Sequence, residues 1–361
     1  MFDFSKFSAD CLSESGPMAL HIKTPLRSVM DKQSPIFPST TAPAKDSDGK
    51  GKYSISEMKD GKLCCDIDSV GSQANRMEGM FKDQYPQLVP QVTVVVPTIT
   101  NFGGIQMQST ITVNLLDIGH RVGDGFLRCT DLCETVISAI EQYKIGDALP
   151  MAKFAPTSLV FGFWDSRGIR IRCERVVQGT IRAYDVAVAQ RSAQFFPIGD
   201  ASDFDVAHIL SELGLEKEKK GTLQNAGLID AVGNNLGGVF VYGDIFREVI
   251  VYINIIRRLR SSDGRNEDLQ RYILSLALLS ALGNYSPHLR QGCMLVPDLD
   301  KQKVSELYYR DGKHEPFFIP LKDIEDACVG TAAAFGVGPN MTGSLNKVAA
   351  RTWVNSVKKN A

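Results

Sequence analysis

From Ile105 to Leu115 the sequence alternates, with Ile105, Met107, Ile111, Val113 and Leu115 on one side and Gln106, Gln108, Thr110, Thr112 and Asn114 on the other. Period two puts successive side chains on opposite faces, so this segment is a strand with one covered face. Further strand patterns run over Met18–Met30, with a break expected at Pro25, and over Gln91–Pro97, Leu159–Trp164 and Val176–Ala189. Another spans Val239–Ile256 and is interrupted at Gly243-Asp244. Helical spacing appears over Asp68–Asp83, Ile118–Tyr143 (with a break near Thr130), Phe204–Lys219, Glu267–Leu282 and Ile324–Ala334. Helices interleave with hairpin-like strand pairs, which predicts an α+β fold with a mostly antiparallel sheet. The stretch 34–52 is rich in Pro, Ser, Thr, Lys and Asp, and is expected to be a mobile insertion. A single domain over 1–361 is expected, with 298–361 as a C-terminal extension.

Charge narrows the function. With 40 basic and 41 acidic side chains the formal net charge is −1, so any polyanion site must be a local patch offset by acid elsewhere. No signal sequence is visible, and the longest apolar helical run, Ile273–Leu282, is too short for the roughly 18–20 residues of a membrane span. A soluble, cytoplasmic protein is expected. Among eight cysteines no CxxC pair occurs, which predicts reduced structural thiols rather than a zinc or redox motif.

Three stretches could carry chemistry. On a helix, Ser69, Ser72, Gln73 and Arg76 form a polar stripe beside the apolar stripe Val70, Ala74, Met77 and Phe81. Hydroxyls, an amide and a guanidinium near a helix N-terminus suit a phosphodiester, although the pattern alone favours an ordinary solvated helix face. Next, His120 and Asp124 lie at i, i+4, and Arg121 and Arg128 share a face if this stretch is helical. Two ligands without a third make a poor metal site, so a His–Asp hydrogen bond is preferred and no metal is assigned. Third, residues 153–191 contain Lys153, Arg167, Arg170, Arg172, Arg175, Arg182 and Arg191 against Asp165, Glu174 and Asp185, with Trp164 nearby as a stacking plane. That composition suits single-stranded RNA, or equally a solvated strand. Arg257-Arg258-Leu-Arg260 is a shorter basic cluster. No Walker A, GxSxG, HExxH or paired-carboxylate motif is present.

Taken together, several segments resemble the backbone subunit of type I-U (I-G) CRISPR effector complexes, in the repeat-associated RNA-binding superfamily. They are Asp68-Ser69 with Ser72-Gln-Ala-Asn75-Arg76 and Glu78, then Gly119-His-Arg-Val122 with Asp124 and Arg128. Phe161-Gly-Phe-Trp164-Asp-Ser166, Ala183-Tyr-Asp-Val186 and Leu289-Arg290 with Gly292-Cys293 and Leu295-Val-Pro297 complete the set. The resemblance runs from about Leu20 to Pro297, and this sequence departs from it by glycines at 71, 123 and 125. It implies an RRM-like core of ferredoxin type with large insertions and a thumb-like hairpin. It implies copies stacked along a guide RNA (crRNA), gripping its backbone and leaving the bases to pair with a target DNA strand. The implied partners are other copies of itself, a guide-processing and capping subunit, a large subunit, and a helicase-nuclease recruited for cutting. Neither catalysis nor a cofactor is implied. A metal-dependent RNA-cleaving subunit of type III kind, using Asp31 or Asp117, is the alternative. On resemblance and charge together, the candidate RNA-binding residues are Lys23, Arg27, Ser69, Ser72, Gln73, Asn75, Arg76, His120, Arg121, Arg128, Trp164, Arg167, Arg170, Arg172, Arg182 and Arg290.

Overall fold

A computed structural model describes the chain except for residues 1, 42–51, 103–104, 196–205, 227, 229–230, 284–287 and 361. Six elements frame it: strand β1 (Ala19–Ser28), helix α1 (Val70–Asp83), strands β2 (Val177–Tyr184) and β3 (Ile245–Val251), helix α2 (Asn266–Leu282) and strand β4 (Cys293–Pro297). The strands lie side by side in the order β4-β1-β3-β2, each antiparallel to its neighbour. Beyond β2 the sheet continues through Leu63–Asp68, Lys52–Glu57 and Thr40–Thr41. The expected α+β architecture with an antiparallel sheet is therefore present.

β1 does not break at Pro25. Along one edge it pairs without interruption with β3, from Leu20↔Val251 to Leu26↔Ile245. Its other edge is shared by Val304–Tyr308, against residues 19–23, and by β4, against residues 26–28. The Pro25 carbonyl points to that shared edge and accepts from Asp298 N at 2.9 Å. Its nitrogen points the same way, so the donor that proline lacks falls where one partner strand has ended and the next has not begun.

One face of the sheet is apolar and carries α1 and α2. Leu20, Ile22, Val177, Val249 and Val251 meet Ala74, Met77 and Phe81 in the larger core. Gly179 allows the close approach of α1, since a Cβ there would sit 3.3 Å from the Met77 methyl and 3.4 Å from Gln73 Cβ. α2 is buried around nearly its whole circumference rather than amphipathic. The reason is a second layer: the helix Leu321–Phe335 packs on its outer side, with Tyr272 stacked on Phe335 at 4.8 Å between centroids. Residues 298–361 thus supply both a strand of the main sheet and part of the core.

Other expectations change. The pattern at Leu159–Trp164 is a helix, Pro156–Phe161, followed by a strand, Phe163–Asp165. Pro156 suits a first helical turn, and Gly162 with φ 73° ends the helix. Val176–Ala189 divides at Asp185, whose φ is 52°, into β2 and the strand Val186–Phe195, which pairs with Ala231–Val241 as a long ribbon. Ile118–Tyr143 is a succession of short 3-10 turns before the helix Cys133–Lys144. Gly119, Gly123 and Gly125 weigh against a continuous α-helix there, each costing about 1 kcal/mol relative to alanine. The insertion 34–52 is anchored at its start: Ile36 is 2% exposed, bridges Val239 and belongs to a second core with Leu26, Ile181 and Leu295. Most of the remainder, 42–51, lies outside the described residues. The hairpin Val92–Phe102/Ile105–Asn114 has a buried base, at Val92 and Val94, and is exposed on both faces over 106–112. No described helix is long and apolar enough to cross a membrane.

Candidate nucleic-acid interface

The polar stripe of α1 is divided: Gln73 is buried, Ser72 and Arg76 are half-buried, and Ser69 is exposed. Ser69 caps the helix, accepting from Ser72 N at 3.3 Å. Asp68, 2% exposed, accepts from Gln73 Nε2 at 2.6 Å and from Arg76 Nε at 3.1 Å. Arg76 also donates to Leu289 O at 2.9 Å, and Gln73 Oε1 accepts from Arg247 Nε at 3.0 Å. Gln73 is fully buried between the two cores. It is therefore a brace between helix and sheet and not a phosphate ligand; Arg76 directs its Nε and one terminal nitrogen to the protein and remains partly exposed. Gln73→Ala is expected to lower stability by about 1–3 kcal/mol, the cost of stranding a buried hydrogen-bonded group. The urea midpoint measures this.

Arg121 and Arg128 are corrected in the same way. Both are 3% exposed. Arg121, at φ 53°, lies 2.8 Å from the carboxylate of fully buried Glu78, donates to Asn75 Oδ1 at 3.2 Å, and sits over the Phe161 ring. Burial pushes Glu78 up to about 7, against the lowering influence of Arg121 and the Thr157 hydroxyl. Arg128 donates to Asp165 at 2.8 Å and lies under the Trp353 ring. The same Asp165 carboxylate accepts from Gly168 N and Ile169 N at 2.9 and 2.8 Å, which folds the turn between Phe163–Asp165 and Ile171–Cys173. That turn holds Trp164 66% exposed, directly across from Arg172 in the strand register.

The buried pairs thus support a surface they do not themselves reach. Trp164 and Arg172 stand at a groove of about 1270 Å³ whose walls include Tyr143, Arg175, Arg258 and Arg260, with His120 and Val70, the first residue of α1, at its border. Glu174 pairs with Arg258. Arg172 and Arg175 have no ion-pair partner among the described residues, and Arg175 is held below the usual guanidinium range by burial and by the positive charges of Arg121 and Arg172. Clustered guanidinium groups left short of carboxylates, beside an exposed indole, can take phosphate oxygens and a stacked base. Arg167 and Arg170 are exposed on the same turn.

The remaining candidates lie elsewhere. Lys23 and Arg182 are on the sheet face away from the helices. Lys23 sits over the Phe246 ring and 3.5 Å from Glu248, and Arg182 donates to Asp66 at 2.6 Å. Arg27 is 4.0 Å from Asp300, and Arg290 donates to Pro38 O at 3.0 Å. Arg258 and Arg260 belong to the groove although only the basic run Arg257-Arg258-Leu-Arg260 signalled them; Arg257 turns inward to Cys11 O and Pro17 O. His120 and Asp124 are not on one helix, and among the described residues no group of three His, Cys, Asp or Glu could hold a metal. All eight cysteines are free thiols.

An antiparallel sheet backed by two helices places the protein among α+β folds, and its described surface carries a groove walled by arginines and aromatic residues. Residues 20–188 match the family described as CRISPR-associated protein GSU0053, which covers the α1 motif, the 121–128 turns and the Trp164 strand. The match takes in four of the five motif groups on which the resemblance rests and leaves out Leu289–Pro297. No curated protein matches the chain.

Proposed function

We propose that this protein is a guide-RNA-binding backbone subunit of a type I-U (I-G) CRISPR effector complex, that it holds the sugar–phosphate backbone in the Trp164 groove, and that it is not an enzyme. The observation that carries this reading is the arginine pair, Arg172 and Arg175, without carboxylate partners among the described residues, beside exposed Trp164. The order β4-β1-β3-β2, with α1 and α2 on one face, supports an RRM-like core of ferredoxin type. The hairpin 92–114, exposed on both faces near its tip, supports a thumb. Near-neutral net charge suits copies packed side by side, because uniformly basic subunits would repel one another. Asp117 is engaged by Lys82 at 2.5 Å, and Asp31 caps Gln33 N at 2.8 Å, which supports structural roles for both.

The test is to purify the protein from its host and sequence the RNA that accompanies it. Repeat–spacer RNA of uniform length is the expected result, with affinity insensitive to guide sequence and steeply dependent on salt. Random cellular RNA or none would remove the reading. Mg²⁺-dependent cleavage of a complementary RNA, abolished by Asp31→Ala or Asp117→Ala, would replace it with a nuclease.

A further inference from the structure

The last helix, Lys347–Asn360, lies outside the stretch that matches the family, and none of the candidate residues above lies on it. The segment 347–361 contains Lys347, Arg351, Lys358 and Lys359 and no acidic residue, in a chain whose total charge is −1. The helix is seated on the body by one side. Trp353 lies over Arg128, 5.3 Å from its guanidinium carbon, and Asn346 N bonds Cys129 O at 2.9 Å just before the helix begins. Ala349, Ala350, Trp353, Ser356 and Val357 are the less exposed positions and follow the spacing of one helix face.

Lys347, Arg351 and Lys358 are exposed and recur at i, i+4 and i+11, a single line of about 16 Å at 1.5 Å per residue. None of the three has an ion-pair partner among the described residues, although 19 such pairs occur elsewhere among them. The line is also tied to the groove. Trp353 rests on Arg128, Arg128 grips Asp165, and Asp165 shapes the turn that presents Trp164 and Arg172. Two acid-free basic segments, 166–172 and 347–361, are thus joined through two side chains.

We propose that the exposed face of this helix is a second phosphate-contacting surface, which takes the same single RNA strand as it leaves the Trp164 groove. The inference rests on the groove reading above and adds an element to it. Charge complementarity and the connection to the groove favour a nucleic-acid occupant. A membrane is disfavoured because the indole and the small apolar residues of the helix are already used against the body, leaving only Val348 and Val354 exposed.

The experiment compares three full-length proteins: the parent, the triple variant Lys347→Gln/Arg351→Gln/Lys358→Gln, and the groove variant Arg172→Gln/Arg175→Gln. Each is titrated with a mixed-sequence single-stranded oligoribonucleotide at several salt concentrations, after a melting curve has shown unchanged folding. All substituted positions carry exposed or groove-lining charge, so folding is expected to survive. Each phosphate contact contributes about 0.7 to the slope of log affinity against log salt for a single strand. Three contacts predict that the helix variant lowers the slope by about 2. An unchanged slope in the helix variant with a weakened groove variant would overturn this inference and leave the groove reading intact. Loss in the helix variant alone would keep the helix surface and remove the groove. No change in either would remove both. An unchanged slope accompanied by loss of an acidic protein partner would overturn the inference and assign the face to protein contact.

Discussion

Glu78→Ala is expected to destabilise the protein by about 3–5 kcal/mol, the usual cost of removing one member of a buried ion pair. Arg121 would keep its charge in a site that is 3% exposed and would retain only Asn75 and the Gly162 carbonyl as acceptors. Replacing both charges, as in Glu78→Leu with Arg121→Met, should recover most of the loss because neither side chain then carries a buried charge. A urea titration of the parent and the two variants measures it, and a double variant as unstable as the single would show that the pair is not the unit. The same site gives stability a pH dependence. Folding raises the Glu78 carboxyl from its ordinary 4.5 to about 7, so the folded state binds the proton more tightly than the unfolded state. Its contribution is greatest below the ordinary value, falls as pH rises between about 4.5 and 7, and is flat above that window. Glu78→Gln should remove this part of the pH profile of the melting temperature.

The second large effect concerns the groove. Trp164→Ala is expected to weaken RNA binding by about 5- to 150-fold, corresponding to roughly 1–3 kcal/mol for one stacked base. Because the indole is 66% exposed, stability should hardly change. Trp164→Phe should recover part of the affinity through its ring face. Arg128→Ala acts on the same groove from beneath: it releases Asp165, which folds the Trp164 turn, so it should lower both stability and affinity. Equal affinity of the parent and Trp164→Ala for single-stranded RNA would show that the groove is not the site.

Much of this was legible in the sequence. The strand over Ile105–Leu115, the helix over Asp68–Asp83 and the interruption at Gly243-Asp244 correspond to observed elements. The covered face expected of the strand is absent: Met107 and Ile111 are 58% and 51% exposed, because the hairpin projects beyond the core that buries its base. The orientation of α1 was not legible. Ser69, Ser72, Gln73 and Arg76 follow a helical stripe, but the stripe cannot reveal that Arg247, from a strand far along the chain, would meet Gln73 from the other side. Arg121 and Arg128 misled for a related reason: an arginine reads as surface, and only the fold brings Glu78 and Asp165 to neutralise them in the interior. Arg175, Arg258 and Arg260 could be counted as charges, but their meeting in one groove depends on the close of β3 and the start of β2 lying together, which no local pattern encodes.

β1 has consequences for how the chain is made. Leu20 pairs with Val251 on one side and Leu307 on the other, so neither neighbour of this early strand exists until most of the chain has been synthesised. At about 5–20 residues per second, β1 waits on the order of ten seconds or more with both edges open on the ribosome. Closing such distant pairs carries a loop entropy that must be met before the contacts repay it, which slows folding. The nascent chain should therefore be the most aggregation-prone stage in the life of this protein, and its solubility on expression should depend on translation speed and chaperone supply more than on the stability of the finished fold.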